Sequence, residues 1–255
     1  MNRGLVKKFL AITFSVMLLF WGGAAVVSQI WNITVSNPGL RVAFLIGGFS
    51  PTIASYLSLK SEGRVRGFTD WLRQVFCFRQ APFAYGLTAL FVILYFGIGG
   101  LVNGVEIGAP IWLQLVIVPS MLFGGGNEEP GWRMILQPEL EKEFGFHKAT
   151  VITGVIWWLW HLPIFFIRGT ANAQMNFFLF GMMCLTLSYG LALILKASSG
   201  VFPCVLTHCL INGLSATFLF PLSFLSCILT LSVTAAVAYL ILKFGRVEKK
   251  EPFQK

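Results

Sequence analysis

Apolar residues run through the chain in eight stretches, near Phe9 to Ile30, Val42 to Leu59, Ala84 to Gly100, Ile111 to Leu136, Ala149 to Ile167, Asn176 to Leu195, Val201 to Leu219 and Leu222 to Phe244. Each approaches the roughly 20 residues that a helix needs to cross a hydrocarbon core about 30 Å thick. The pattern predicts an all-α polytopic membrane protein with about eight transmembrane helices. The first stretch follows Arg3, Lys7 and Lys8, as a secretory signal would, but its apolar core is too long for one, so it reads as a retained anchor. A different rhythm occupies residues 64–80, where Phe68, Trp71, Leu72, Val75 and Phe76 recur at three and four residues among basic positions. That spacing predicts a helix lying in the membrane interface, its arginines turned toward anionic headgroups.

Composition supports the membrane reading. Of the 255 residues, 56% are hydrophobic and 11% charged, against about a quarter charged in a soluble domain. A soluble globular protein, a disordered chain and a nucleic-acid binder are thereby excluded. The net charge of +9 is explained by where the basic residues fall. With the N-terminus cytoplasmic, an even number of spans puts all of the 19 basic residues except Arg41 and Arg168 on one side, as the positive-inside rule requires. The expectation is an integral multi-pass protein with both termini in the cytoplasm, in the cell membrane if the source is bacterial. The five cysteines form no CxxC pair and read as small packing residues.

Three places break the apolar pattern. Glu128, Glu129 and Arg133 fall in the fourth stretch, His161 in the fifth, and His208 and Asn212 in the seventh. Ionisable groups at such positions cost a few kcal/mol each and mark sites. Counting helical rise from the cytoplasmic ends puts His161 about 18 Å deep, Glu128 about 12 Å and His208 about 10 Å. Three helices thus bring their polar residues to similar depth. Glu129 and Arg133 stand four apart and can pair along a helix, which leaves Glu128 pointing elsewhere without an obvious cation. His208 and Asn212 share the same spacing and can serve one pocket. Pro130 and the preceding glycines predict a kink at the carboxylates that admits water.

A carboxylate and a histidine beside water suit general-base attack on a carbonyl, and a second histidine with an amide can donate to the developing oxyanion. Neither GxSxG nor HExxH occurs, so neither a serine elbow nor a zincin helix is available. Peptide hydrolysis inside the membrane fits these parts. The same set could instead serve as zinc ligands, with Glu128, His161 and His208 holding the metal.

These residues resemble the motifs of the CAAX protease and bacteriocin-processing (Abi) intramembrane endopeptidases, related to the type II CAAX prenyl proteases. Glu128, Glu129 and Arg133 match Glu-Glu-x-x-x-Arg; Trp157 and His161 match aromatic-x-x-x-His, with Trp where Phe is more usual; His208 and Asn212 match His-x-x-x-Asn/Asp. The resemblance covers about Ile111 to Leu219. It implies an eight-helix core around a cavity open to the cytoplasm and the membrane. It implies further that Glu128 activates water with help from His161, that His208 and Asn212 form the oxyanion hole, and that Glu129 and Arg133 support the site. The family's scheme needs no metal, so no cofactor is expected, with zinc as the alternative. The partners implied are a membrane-associated peptide or protein substrate and the lipid bilayer.

The domain reading is an N-terminal transmembrane region over 1–110, a catalytic core over 111–219, and a last span with a basic tail over 220–255. Two other functions use the same polar residues: a silent bacteriocin-immunity or scaffold protein, and a proton-coupled transporter. The latter is disfavoured because no internal repeat is visible.

Overall fold

The structure is a computed structural model and describes residues 1–245. Arg246, Lys249, Lys250 and Lys255, counted above toward orientation, lie outside the described residues.

The chain is a bundle of helices with one minimal sheet. Helix α1 spans Arg3–Trp31, interrupted by a π-helical turn at Leu18–Gly22. Helices α2 (Pro38–Gly48) and α3 (Ser50–Ser61) form a pair bent by 43°. The short α4 covers Phe68–Val75, α5 covers Pro82–Asn103 and α6 covers Ile111–Ser120. Polar caps begin several of them. The Asn37 side chain accepts from Gly39 and Leu40 ahead of α2, satisfying backbone N–H groups that a helix start leaves orphaned.

The helical run Gly126–Phe166 is 41 residues long, which as a straight rod would measure about 60 Å, twice the hydrocarbon thickness. It is not straight. Gly145 has φ 73° and ψ 171°, a conformation open to glycine and strained for other residues. Across it, Gln137 Nε2 donates to Thr150 Oγ1 at 3.2 Å, although thirteen residues of straight helix would separate them by about 20 Å. The run is therefore a hairpin of two arms, α7 (126–144) and α8 (146–160), that lie antiparallel. Helices α9 (Phe177–Ala197), α10 (Phe202–Leu214) and α11 (Phe224–Phe244) complete the bundle. Helix α9 packs against α8, α11 and α5 and is the most buried of the long helices. Residues Glu106–Ile107 (β1) and Phe218–Leu219 (β2) pair antiparallel, tying the end of α5 to the end of α10.

The all-α polytopic expectation holds. Among the described residues, five helices are long and apolar enough to cross a membrane, or six if the bent pair is one span. Eight uniform spans are not what these criteria give. The stretch from Ile111 to Leu136 breaks into a short helix, a turn and the start of α7, because Gly124, Gly125 and Gly126 interrupt it. The stretch from Val201 contributes a helix of 13 residues, too short to cross a bilayer alone.

Two further expectations change. The interfacial helix is eight residues long, not seventeen, and part of its apolar face is taken up by protein, with Phe68 left exposed. Trp71 and Val75 are buried, and the Trp71 indole donates to Ser55 Oγ on α3 at 3.1 Å. Four of the five free cysteines are buried, but Cys77, just past α4, is exposed.

Candidate functional site

The site forms where the start of α7, the end of α8 and the middle of α10 meet. Helix α7 begins here in an uneven register: a 3-10 turn at Gly126–Glu128, an α-turn at Glu129–Gly131 and a π-turn at Trp132–Leu136. Such π-turns are frequent at functional sites. Pro130 lies in the first turn of this helix, where its missing N–H is no loss. The expected kink is thus a helix start, set by the glycines and Gly125 at φ 145°.

All three expected clusters converge. Glu128 Oε2 stands 4.0 Å from His161 Nε2 and accepts the indole N–H of Trp157 at 2.6 Å. His161 Nδ1 is 2.8 Å from the Trp157 carbonyl oxygen. A carbonyl can only accept, so Nδ1 carries the proton and Nε2 of the neutral ring faces Glu128 as an acceptor. Glu129 turns the other way. It receives Arg133 Nε on Oε2 at 3.0 Å and His208 Nδ1 on Oε1 at 2.7 Å. Arg133 also reaches Ser188 Oγ on α9 at 3.4 Å and lies over the Trp157 ring at 5.8 Å from its centroid.

Burial separates these residues into two ranks. Glu129 and Arg133 are fully sealed at 0% exposure, whereas Glu128, His161 and His208 keep 7, 8 and 4%. A sealed carboxylate beside a guanidinium and an imidazole is a support, since an unpaired charge there would be very costly. The partly open trio is the part that can meet a reactant. Asn212, one turn beyond His208, is half-buried and donates through Nδ2 to the Gly124 carbonyl at 2.8 Å.

Several site residues escaped the sequence reading. Trp157 was expected as a motif aromatic, yet it also donates to the carboxylate; an indole where a phenyl ring suffices was the available signal. A side chain at Gly125 would collide with Asn212 Nδ2 and lie 2.7 Å from His208 Nε2, so that glycine keeps the corner open. Asn127 braces the glycine loop: its side chain accepts from Gly125 N and donates to the Gly48 carbonyl, and its own carbonyl accepts from Thr52 Oγ1. Nothing in the local pattern marks Thr52 or Gly48, because their role depends on the packing of α3 against α7.

For the zinc alternative, Nδ1 of each histidine is engaged by the Trp157 carbonyl or by Glu129, which leaves Nε2 of each ring and is the way metal-ligating histidines are commonly held. Among the described residues, no three His, Cys, Asp or Glu side chains are grouped closely enough to hold a metal.

Residues 110–214 match a family model described as Rce1-like, type II CAAX prenyl endopeptidase. The central segment is similar to that family. The match runs from α6 through the hairpin to the end of α10 and takes in Glu128, Glu129, Arg133, His161, His208 and Asn212. Over a longer alignment the chain is similar to the CAAX prenyl protease 2 of Methanococcus maripaludis, at 24% identity over 196 residues, covering 68% of this chain and 70% of that protein. The apolar helices and this likeness together point to an integral membrane protein.

Proposed function

We propose that the chain is an intramembrane endopeptidase that hydrolyses a peptide bond of a membrane-associated substrate, using water activated between Glu128 and His161. The observation that carries this is the 4.0 Å gap between Glu128 Oε2 and His161 Nε2, with the histidine tautomer held by the Trp157 carbonyl. A water about 2.8 Å from both atoms fits that gap, within hydrogen-bond reach of each. Both neighbours accept, so the water points its two hydrogens at them and its lone pair outward. Attack on the carbonyl carbon transfers one water proton to Glu128, and Glu128 returns it to the amide nitrogen as the C–N bond breaks.

His208 and Asn212 supply the oxyanion donors in this reading. His208 spends Nδ1–H on Glu129, so donation from Nε2 uses the imidazolium form, for which the Glu129 carboxylate is the counter-charge. Asn212 has a second amide N–H beyond the one given to Gly124. The resemblance to a CAAX prenyl protease suggests a substrate with an isoprenoid on a cysteine near its C-terminus, followed by the residues to be removed. Both termini face the cytoplasm, on the distribution of basic residues.

The test is cleavage of a farnesylated, fluorogenic CAAX peptide by purified protein in liposomes. Glu128→Gln keeps the shape of the side chain and removes the base, so cleavage should fall by at least about a hundredfold with the melting temperature unchanged. Cleavage by the variant at the parental rate overturns the proposal.

A further inference from the structure

Trp157 touches four of the six motif residues around it. Its indole N–H donates to Glu128 Oε2 at 2.6 Å, its carbonyl holds His161 Nδ1 at 2.8 Å, its ring meets His208 edge-on at 5.4 Å between centroids, and the Arg133 guanidinium lies over it. At 2% exposure it is out of reach of a substrate. We infer that Trp157 is a positioning residue for the reaction: its indole N–H fixes which way the Glu128 carboxylate points, and its backbone fixes the His161 tautomer, so one residue sets both acceptors of the attacking water. This inference rests on the hydrolytic reading above.

The geometry requires it. Glu128 follows a glycine loop and opens a helix of mixed register, so its own backbone constrains its side chain less than a regular helix would. Glu129 is clamped by Arg133 and His208, whereas Glu128 accepts the Trp157 indole at 2.6 Å, with the Trp132 indole a second, weaker donor toward it. Oε2, the oxygen nearest His161, is the same atom that accepts the indole. The bond therefore holds the carboxylate at the distance from Nε2 that a bridging water needs. A phenyl ring fills most of that space and keeps an aromatic against the same histidine, but it cannot direct the carboxylate.

Trp157→Phe separates the N–H from the ring. With the farnesylated peptide in liposomes, kcat per folded enzyme should fall about tenfold to a hundredfold, the loss expected of a hydrogen bond to a charged group, while KM stays at the parental value and the melting temperature falls only as the smaller ring's cavity requires. A purely structural role would lower the melting temperature and leave kcat per folded enzyme unchanged, and that result overturns the inference. Parental kcat in Trp157→Phe, with Glu128→Gln inactive, overturns it too while sparing the hydrolytic reading. A readout free of activity is the Trp157 indole resonance in 15N-tryptophan-labelled protein, assigned by its absence from Trp157→Phe. Glu128→Ala should displace that resonance; an unmoved signal overturns the inference.

Discussion

Oε1 of Glu129 lies 2.7 Å from Nδ1 of His208, on a helix 79 residues further along the chain. The other oxygen of the same carboxylate holds Arg133 at 3.0 Å. Successive helical residues diverge by about 100°, so the adjacent glutamates face different neighbours. Glu129 turns inward to join α7 to α10, and Glu128 turns toward His161. Direction alone separates two identical side chains, one into an ion-pair brace and the other into the group that the proposed reaction uses.

The brace should carry stability. Glu129→Ala leaves Arg133 charged and buried without its partner, which costs about 3–5 kcal/mol. The combined change Glu129→Leu with Arg133→Met removes both charges and should regain most of that loss, as apolar replacements of buried pairs do. It should not regain cleavage, because His208 loses its Nδ1 partner. Thermal unfolding in detergent beside peptide cleavage measures both, and a double variant as unstable as the single one contradicts the assignment.

His161 should matter to rate and little to binding. Its Nε2 faces Glu128 across 4.0 Å and its Nδ1 is committed to a carbonyl, so the ring contributes one acceptor. His161→Phe retains an aromatic ring between Trp160 and Phe180, which it contacts at 4.6 and 4.9 Å. A drop of about 10²–10⁴-fold in kcat is expected, with KM within a few-fold of parental. A KM effect alone would place His161 in substrate binding.

The convergence of Glu128, His161 and His208 was legible because charge in an apolar stretch needs a reason, and three such places at similar depth share one most simply. The pairing of Glu129 with Arg133 followed from spacing. What spacing could not show is how a run of 41 helical residues divides, since the hairpin at Gly145 depends on a backbone conformation and not on hydropathy. The short α6 and α10 read as full spans for a related reason: apolar residues in turns and at the β1–β2 pair extend the hydropathy signal past the helix ends. Thr52 and Gly48 stayed invisible because they act through contacts across helices. The indole bond to Glu128 lay within reach of a closer reading, since an N–H in an apolar site calls for an acceptor.

Gly125 and Gly145 both have positive φ, at 145° and 73°, but their surroundings differ. A Cβ on Gly145 meets nothing within 4 Å, so Gly145→Ala should cost about 1–2 kcal/mol of backbone strain and leave the rate of folded enzyme intact. A Cβ on Gly125 runs into Asn212 and His208. Gly125→Ala should therefore lose cleavage by more than about tenfold beyond its stability cost of about 1–3 kcal/mol. Comparing specific activity per folded molecule in the two variants checks the contrast. Equal activities would mean that the oxyanion corner is not where His208 and Asn212 meet.

Orientation in the membrane can be read from Cys77. It lies among Arg64, Arg66, Arg73 and Arg79, in the segment that the positive-inside rule assigns to the cytoplasm, and it is exposed while Cys184, Cys204, Cys209 and Cys227 are buried. Thiolate chemistry requires access, so a membrane-impermeant maleimide should modify this one site in the folded protein, with no cysteine removed beforehand. Inverted vesicles should be labelled and intact cells should not, and Cys77→Ser should abolish the vesicle signal. Labelling from outside intact cells would reverse the orientation. The segment 64–80 would then face outward, and Glu139, which accepts from the amide of Asn2, Arg64 and Lys142, would carry the N-terminus to that side with it.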